Sequence, residues 1–237
     1  MPAYKSSSKK ILKFIEENKL VRGDRLPSEA ELAEMLEVGR LTLREAMNAL
    51  KQEGIIYSVQ GKGTFVGYGY QYIANSLNIN ESITEMIESS GYTCNTAEFS
   101  KNIVKADDNV ANGLGVPAGS DVLMCERVRL ADNVPVVYSI DYLAAHLASP
   151  FLSITDENVS LYDFIEEKCG IEIGQCLTEI TPIVADSLLA HKLDVPENTP
   201  LLKFFVSLQN TAFEPIIYAV EYLRADKFKF IINRRRQ

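Results

Sequence analysis

The sequence predicts an α+β protein: a small helical N-terminal domain that ends in a β-hairpin, then an antiparallel-sheet domain with an internal duplication. Three observations carry this expectation. Within the first 66 residues, three short amphipathic segments, the second opened by "PSEAE", lead into the glycine turn "QGKG". In the C-terminal half, two stretches align with each other at an offset of 79. A net positive charge is confined to the front. Residues 1–70 hold 11 Lys+Arg against 9 Asp+Glu, a net of +2, while the remaining 167 hold 13 against 23, a net of −10.

The chain has 237 residues, 46% of them hydrophobic and 24% charged, enough for two globular domains of ordinary size. No run approaches 18 apolar residues, and "MPAYKSSSKKILKF" lacks the apolar core of a secretion signal. A cytoplasmic location with no membrane partner is expected. The cysteines Cys94, Cys125, Cys169 and Cys176 form no C-x-x-C pair, and His146 and His191 are the only histidines. That inventory predicts free thiols and neither a metal site nor a cofactor.

The elements follow in chain order. Ile11, Leu12 and Ile15 have helical spacing, with Phe14 beside them, so a first helix is expected over about Ser7 to Asn18. Gly23 and Pro27 punctuate the next stretch. Ser28 and Glu31 have the spacing of a capping box, opening a short second helix with Leu32, Ala33, Met35 and Leu36 as its apolar side. After the "EVG" turn, Leu43, Ala46, Met47 and Leu50 form the buried stripe of a third helix, stopped at Gly54. Ile55–Val59 and Thr64–Val66 read as a hairpin around Gly61, Lys62 and Gly63. The stripe leaves Arg40, Thr42 and Arg44 at the exposed start of the third helix. Free amides and the helix dipole there favour an anion, and a phosphate backbone would suit both this end and the glycine turn.

At this point "GDRLPSEAELAEML" and "EVGRLTLREAMNALKQEGIIYSVQGKGTFV" resemble the winged helix-turn-helix of the GntR family of bacterial transcription regulators. The resemblance implies double-stranded operator DNA as partner. It implies that Arg40, Thr42 and Arg44 contact phosphates and base edges, and that the wing, with Gly61, Lys62 and Gly63, enters the minor groove. Arginine suits both tasks because its planar fork grips a phosphate or the guanine O6/N7 edge. Gly39, Leu41 and Ala30 depart from the family's usual Ser or Thr, Thr and base-reading Arg.

"GYGYQYIAN" (Gly67–Asn75) has no clean periodicity and reads as the linker, giving domains of 1–68 and 81–237 joined by 69–80. Beyond it, Val104–Leu123 aligns with Ile183–Leu202. Pro135–Leu143 aligns with Pro215–Leu223 after one inserted residue. Each copy reads as a helix begun by Ala-Asp, a Val-Pro turn and a strand hairpin. Two copies fit a pseudo-symmetric sheet domain better than a solenoid. The first copy places Arg127 and Arg129 on one face of a strand, where they repel unless an anion or an acid such as Glu126 relieves them. The alternatives at this stage are an anion site and a solvated edge strand.

The segments "SITEMIESSG", "ERVRLADNVPVVYS", "SLYDFIEEKCGIEI" and "YLRADKFKF" resemble the UTRA domain of the HutC subgroup of GntR regulators. The resemblance implies a chorismate-lyase-like fold, a homodimer, and a small anionic effector held by Arg127 and Arg129 with Ser160 and Tyr162 nearby. Ser139 and Ile217 stand where members sensing phosphorylated amino sugars carry glutamates, and Leu223 stands where they carry a tyrosine. Ser139 remains in the expected effector-binding set, but a polyhydroxylated ligand would leave hydroxyls unpaired.

The function expected is that of a DNA-binding regulator, a repressor whose operator binding responds to a sugar phosphate, phosphonate or organic acid. Two alternatives are a DNA-binding dimer with a non-sensing C-terminal scaffold, and a chorismate-lyase-like enzyme. Neither histidine sits in a Ser-His-Asp or metal-ligand pattern, and "GKGTFV" lacks the strand and helix a P-loop needs, so no catalysis is expected. The "RRRQ" tail is expected to be disordered.

Overall fold

Helix α1 (Ala3–Glu17) opens the chain, followed by α2 (Glu29–Met35), α3 (Arg40–Gln52) and the antiparallel hairpin β1 (Ile56–Val59) and β2 (Gly63–Val66). The computed structural model describes residues 3–67 and 72–232, so the tail Arg234–Gln237 and the stretch Tyr68–Gln71 lie outside the described residues. Ser28 caps α2 as expected: its hydroxyl accepts from the Glu31 amide while Glu31 accepts from the Ser28 amide. Ile11, Ile15, Leu32, Leu43, Ala46, Met47 and Leu50 are fully buried in one core with Ile55, Ile56 and Val66. The stripes of α1 and α3 therefore point where their spacing says, whereas Met35, expected on the apolar side of α2, is 61% exposed at the last residue of that short helix. Glu53 closes α3, and Gly54 follows at φ +67, a left-handed backbone that glycine adopts at no steric cost.

The described residues before Thr93, with those from Lys227 onward, form one compact unit, and Thr93–Asp226 forms the other. The first unit includes more than the sequence boundaries give it. Strand β3 (Ile73–Ser76), inside the expected linker, pairs in parallel with the last strand, Phe228–Ile231. A capping box at Ser82 and Glu85 starts α4 (Ile83–Ser89), which belongs to the same unit. The linker composition hid this strand because its partner lies some 150 residues away in sequence (Ile73 opposite Phe228).

The second unit is built on β4 (Cys94–Lys105), α5 (Asp108–Leu114), β5 (Asp121–Ala131) and β6 (Val134–Leu143). After α6 (Ala145–Leu152), α7 (Leu161–Asp163) and a π-helical turn (Phe164–Lys168), the pattern recurs as β7 (Ile173–Val184), α8 (Ser187–Leu193), β8 (Pro200–Asn210) and β9 (Pro215–Arg224). The last strand of the chain is β10 (Phe228–Ile231). The sheet is antiparallel in the order β4-β5-β6-β9-β8-β7, so the two β-α-β-β copies meet at β6 and β9. Asp107 and Asp186 cap α5 and α8 identically, each accepting from the amide three residues on at 2.8 Å. Those caps are the Ala-Asp helix starts of the repeat. The strands preceding them, β4 and β7, complete each copy but have no strict alternation in sequence, and β4 carries a bulge between Thr96 and Glu98.

Helices α5 and α8 cover one face of the sheet, packing on Val122, Val128, Tyr138, Tyr142 and Tyr218. The opposite face meets α6 and the π-helical turn through Phe99, Phe151 and Phe164, with ring centroids 6.5 and 5.0 Å apart. Among the described residues, no helix is long and apolar enough to cross a membrane.

Candidate functional site

Two groups of residues carry chemistry, one in each unit. In the first, α3 begins at Arg40 after Gly39, whose backbone offers no side-chain cap, and its first turn holds no acid. The amides and dipole of that end are thus open to an anion. Arg40, Leu41 and Arg44 are exposed and Thr42 is half-buried, while Leu43 beside them is fully buried. Arg44 Nε lies 3.4 Å from the Glu29 carboxylate on α2.

The wing is flanked by an isolated β-bridge that the sequence reading missed. Leu26 donates to the Thr64 carbonyl and Val66 to the Asp24 carbonyl, both at 2.9 Å, and Arg25 bridges to Phe65. The Arg25 side chain lies across Gly63. A Cβ there would stand 2.8 Å from Arg25 Nε, and Gly63 has φ +116, so a side chain is barred twice. Gly61, at φ +73, and Lys62 are exposed at the turn, and the Ser58 and Thr64 hydroxyls meet at 2.9 Å behind it. Arg25, Lys62, Arg40 and Arg44 are therefore exposed cations of the same small domain. Arg25 carried no motif of its own; only its cross-strand position beside Gly63 marks it.

In the second unit, β5 is an interior strand, which removes the solvated-edge alternative. Arg127 and Arg129 are 6% and 1% exposed, on the face covered by α6 and α7. The acid that relieves them is not Glu126, which points to the other face and accepts from Tyr138 and Ser100. It is Asp141, which accepts from Arg127 Nη2 at 3.2 Å and from the Ser139 hydroxyl at 3.0 Å. Strand alternation explains this: Cys125 faces Asp141 and Arg127 faces Ser139 across β5 and β6, whereas Glu126 is out of phase.

Arg127 Nη1 also donates to the Val159 carbonyl at 3.1 Å, just before α7. Its Nε is buried without a hydrogen-bond partner among the described residues. Arg129 donates to Thr96 Oγ1 and to the Cys94 thiol, and Thr96 in turn donates to the Glu157 carbonyl. Two arginines thus pin the 156–160 loop to the sheet, directly and through Thr96. Ser160 ends that loop and caps α7, accepting from the Asp163 amide at 3.3 Å. Tyr162, half-buried, hydrogen-bonds the Cys176 thiol on β7. The structure therefore gathers Arg127, Arg129, Ser139 and Ser160 at one buried place, with Tyr162 on the same short helix.

Burial opposes both guanidinium charges. Asp141 nevertheless holds Arg127 above its ordinary value, while burial and Arg127 beside it push Arg129 down. Glu221 on β9 faces Ser139 across the strand pair. Burial and then the Asp141 charge push its carboxyl up to about 8, against the pull of Arg127. Asp141 and Glu221 went unread in the sequence because "SIDYL" and "VEYL" look like ordinary strand; pairing the repeats at β6 and β9 brings both toward Arg127.

Comparison with known proteins bears on both units. The family described as "Bacterial regulatory proteins, gntR family" matches residues 4–66, and that described as "UTRA domain" matches residues 89–229. The chain is 30% identical over 234 residues to the "HTH-type transcriptional repressor NagR" of Bacillus subtilis (strain 168), covering 98% of this chain and 94% of that protein. It is 26% identical over 230 residues to the "HTH-type transcriptional regulator GgaR" of Escherichia coli (strain K12), covering 97% and 90%. Among solved structures, PhnF from Mycobacterium smegmatis superposes with a TM-score of 0.62 at 26% identity, covering 93% of this chain and 96% of that one.

Proposed function

Because this chain belongs to the GntR family of bacterial regulatory proteins and carries its UTRA domain, a DNA-binding transcription regulator and not an enzyme, we propose that it is a repressor released by a small anionic metabolite. The observation that carries the sensing half is the buried pair Arg127 and Arg129, with Asp141 paired to Arg127. A buried guanidinium fork with a donor to spare suits a phosphate or carboxylate. Arg127 Nε supplies a donor with no other partner among the described residues.

On the DNA side, Arg40, Thr42 and Arg44 stand at the uncapped start of α3, and Gly61, Lys62 and Gly63 form the wing. As a homodimer, the protein would set two such helices on a pseudo-palindromic operator, with half-sites about 34–36 Å apart. An effector shifts operator binding only by preferring one dimer arrangement, by roughly 1–3 kcal/mol in typical couplings. The 156–160 loop is the element through which anion binding changes the fold locally, since Arg127 and, through Thr96, Arg129 hold it.

The test compares the intact protein with Arg129→Met, binding the fragment upstream of its own gene while phosphate esters, phosphonates and organic acids are screened for release. Arg127→Ala is the poorer variant, because it strands Asp141 in a buried site. Release of the wild type and retention by Arg129→Met, at equal DNA affinity without ligand, is the expected result. Equal release of both proteins would remove the arginine site from the mechanism. A protein that binds its fragment and responds to no anion would favour the second reading, a non-sensing scaffold.

A further inference from the structure

The large apolar side chains of α3 face the core with one exception. Leu43, Met47 and Leu50 are fully buried together with Ala46, and Leu36 and Val38, just before the helix, pack against the same core. Leu41, the second residue of α3, is 73% exposed. At about 100° per residue, it stands opposite the middle of the buried stripe. It shares that outward side with Arg44, Glu45 and Asn48, which are all exposed.

An exposed leucine is ordinary on a protein surface. Here the place is what matters. Leu41 sits in the first turn of the second helix of a helix-turn-helix, between Arg40 and Arg44. In that motif the N-terminal residues of the second helix reach base edges in the major groove. Arg44, Glu45 and Asn48 each have a hydrogen-bonding counterpart there, on guanine, cytosine and adenine respectively. Leu41 neither donates nor accepts. Thymine is the one base whose major-groove edge carries an apolar group, its C5-methyl. Against guanine, adenine or cytosine, the leucine would strip water from a donor or acceptor and return no hydrogen bond.

We infer that Leu41 reads the C5-methyl of a thymine, so that each operator half-site carries a T·A pair where the first turn of α3 meets the major groove. This rests on the DNA-contact reading of α3 given above and adds a base that neither arginine specifies. The contact involves a side chain that the fold itself does not use, so its loss should change sequence preference without changing stability.

The experiment enriches a pool of random duplexes on the full chain and titrates the preferred duplex by gel shift. Each thymine is then replaced in turn by deoxyuridine, which lacks only the C5-methyl. One thymine in each half-site, at symmetry-related positions, is expected to be sensitive. Its replacement should cost the wild type about fourfold in affinity, the worth of one buried methyl. Leu41→Ser should bind the thymine and deoxyuridine duplexes equally, with an unchanged melting temperature. Leu41→Gln, a stronger helix former, repeats the comparison should the serine variant fold poorly. A wild type insensitive to every deoxyuridine would overturn the inference. So would a sensitive thymine that remains equally sensitive in both variants, since the methyl would then belong to another side chain. If the pool yields no duplex preferred over unrelated DNA, the base-reading role of α3 itself falls and takes this inference with it.

Discussion

Arg127 Nη2 donates to Asp141 Oδ2 at 3.2 Å, and the two side chains are only 7% and 6% exposed. An ion pair this deep contributes little net stability, because both partners lose their hydration; removing one partner alone is what costs. Asp141→Ala would leave Arg127 buried and unmatched beside Arg129. It should lower stability by about 3 kcal/mol, measured by urea unfolding. Added phosphate should restore more stability to this variant than to the wild type, since the anion takes the vacated place. No difference in the phosphate effect would mean that anions do not reach Arg127.

The half-buried Glu221 carboxyl makes stability depend on pH. Its folded value of about 8 lies above the ordinary 4.5 of a glutamate, so the native state holds a proton that the unfolded chain gives up. Its contribution is therefore fully present below the lower value and is lost as pH rises through the upper one. The loss is at most about 1.4 kcal/mol per pH unit across that window. Glu221→Gln does not titrate, so its melting temperature relative to the wild type should climb from pH 5 to pH 9. A constant difference across that range would contradict the burial argument.

Arg44 and Glu29 form an exposed pair, with side chains 68% and 41% exposed. Such pairs add at most about 1 kcal/mol. Arg44→Ala should leave the unfolding midpoint nearly unchanged and abolish specific binding to the promoter fragment in a gel-shift titration. Retained specificity would remove Arg44 from the base-reading set.

The Arg25 guanidinium lies beside Gly63 in the wing, and Arg25 is exposed. If it contacts a phosphate, Arg25→Gln should weaken binding to specific and unrelated duplexes alike. The slope of log affinity against log salt should fall by about 1. An unchanged slope would make Arg25 a support for the wing rather than a DNA contact. Gly63→Val, which forces both a strained φ and a clash with Arg25, should weaken DNA binding with the α3 surface intact.

The sequence by itself determined the local elements and their order. Capping boxes, Asp-capped helices and period-matched apolar stripes are written within a few residues of each other, so Ser28, Asp107, Asp186 and the Leu43–Leu50 stripe were legible without coordinates. The duplication was legible too, because the copies retain the same helix starts and Val-Pro turns. The family motifs marked Arg127 and Arg129. What only the tertiary structure decided was which groups meet across strands. Sheet phase chose Asp141 over Glu126 as the partner of Arg127, and the β6–β9 junction placed Glu221 in the arginine row. The pairing of Ile73–Ser76 with Phe228–Ile231, and of Arg25 with Phe65, likewise joins residues far apart in sequence. Such contacts are set by register, and a shift of one residue would turn every one of these side chains to the other face.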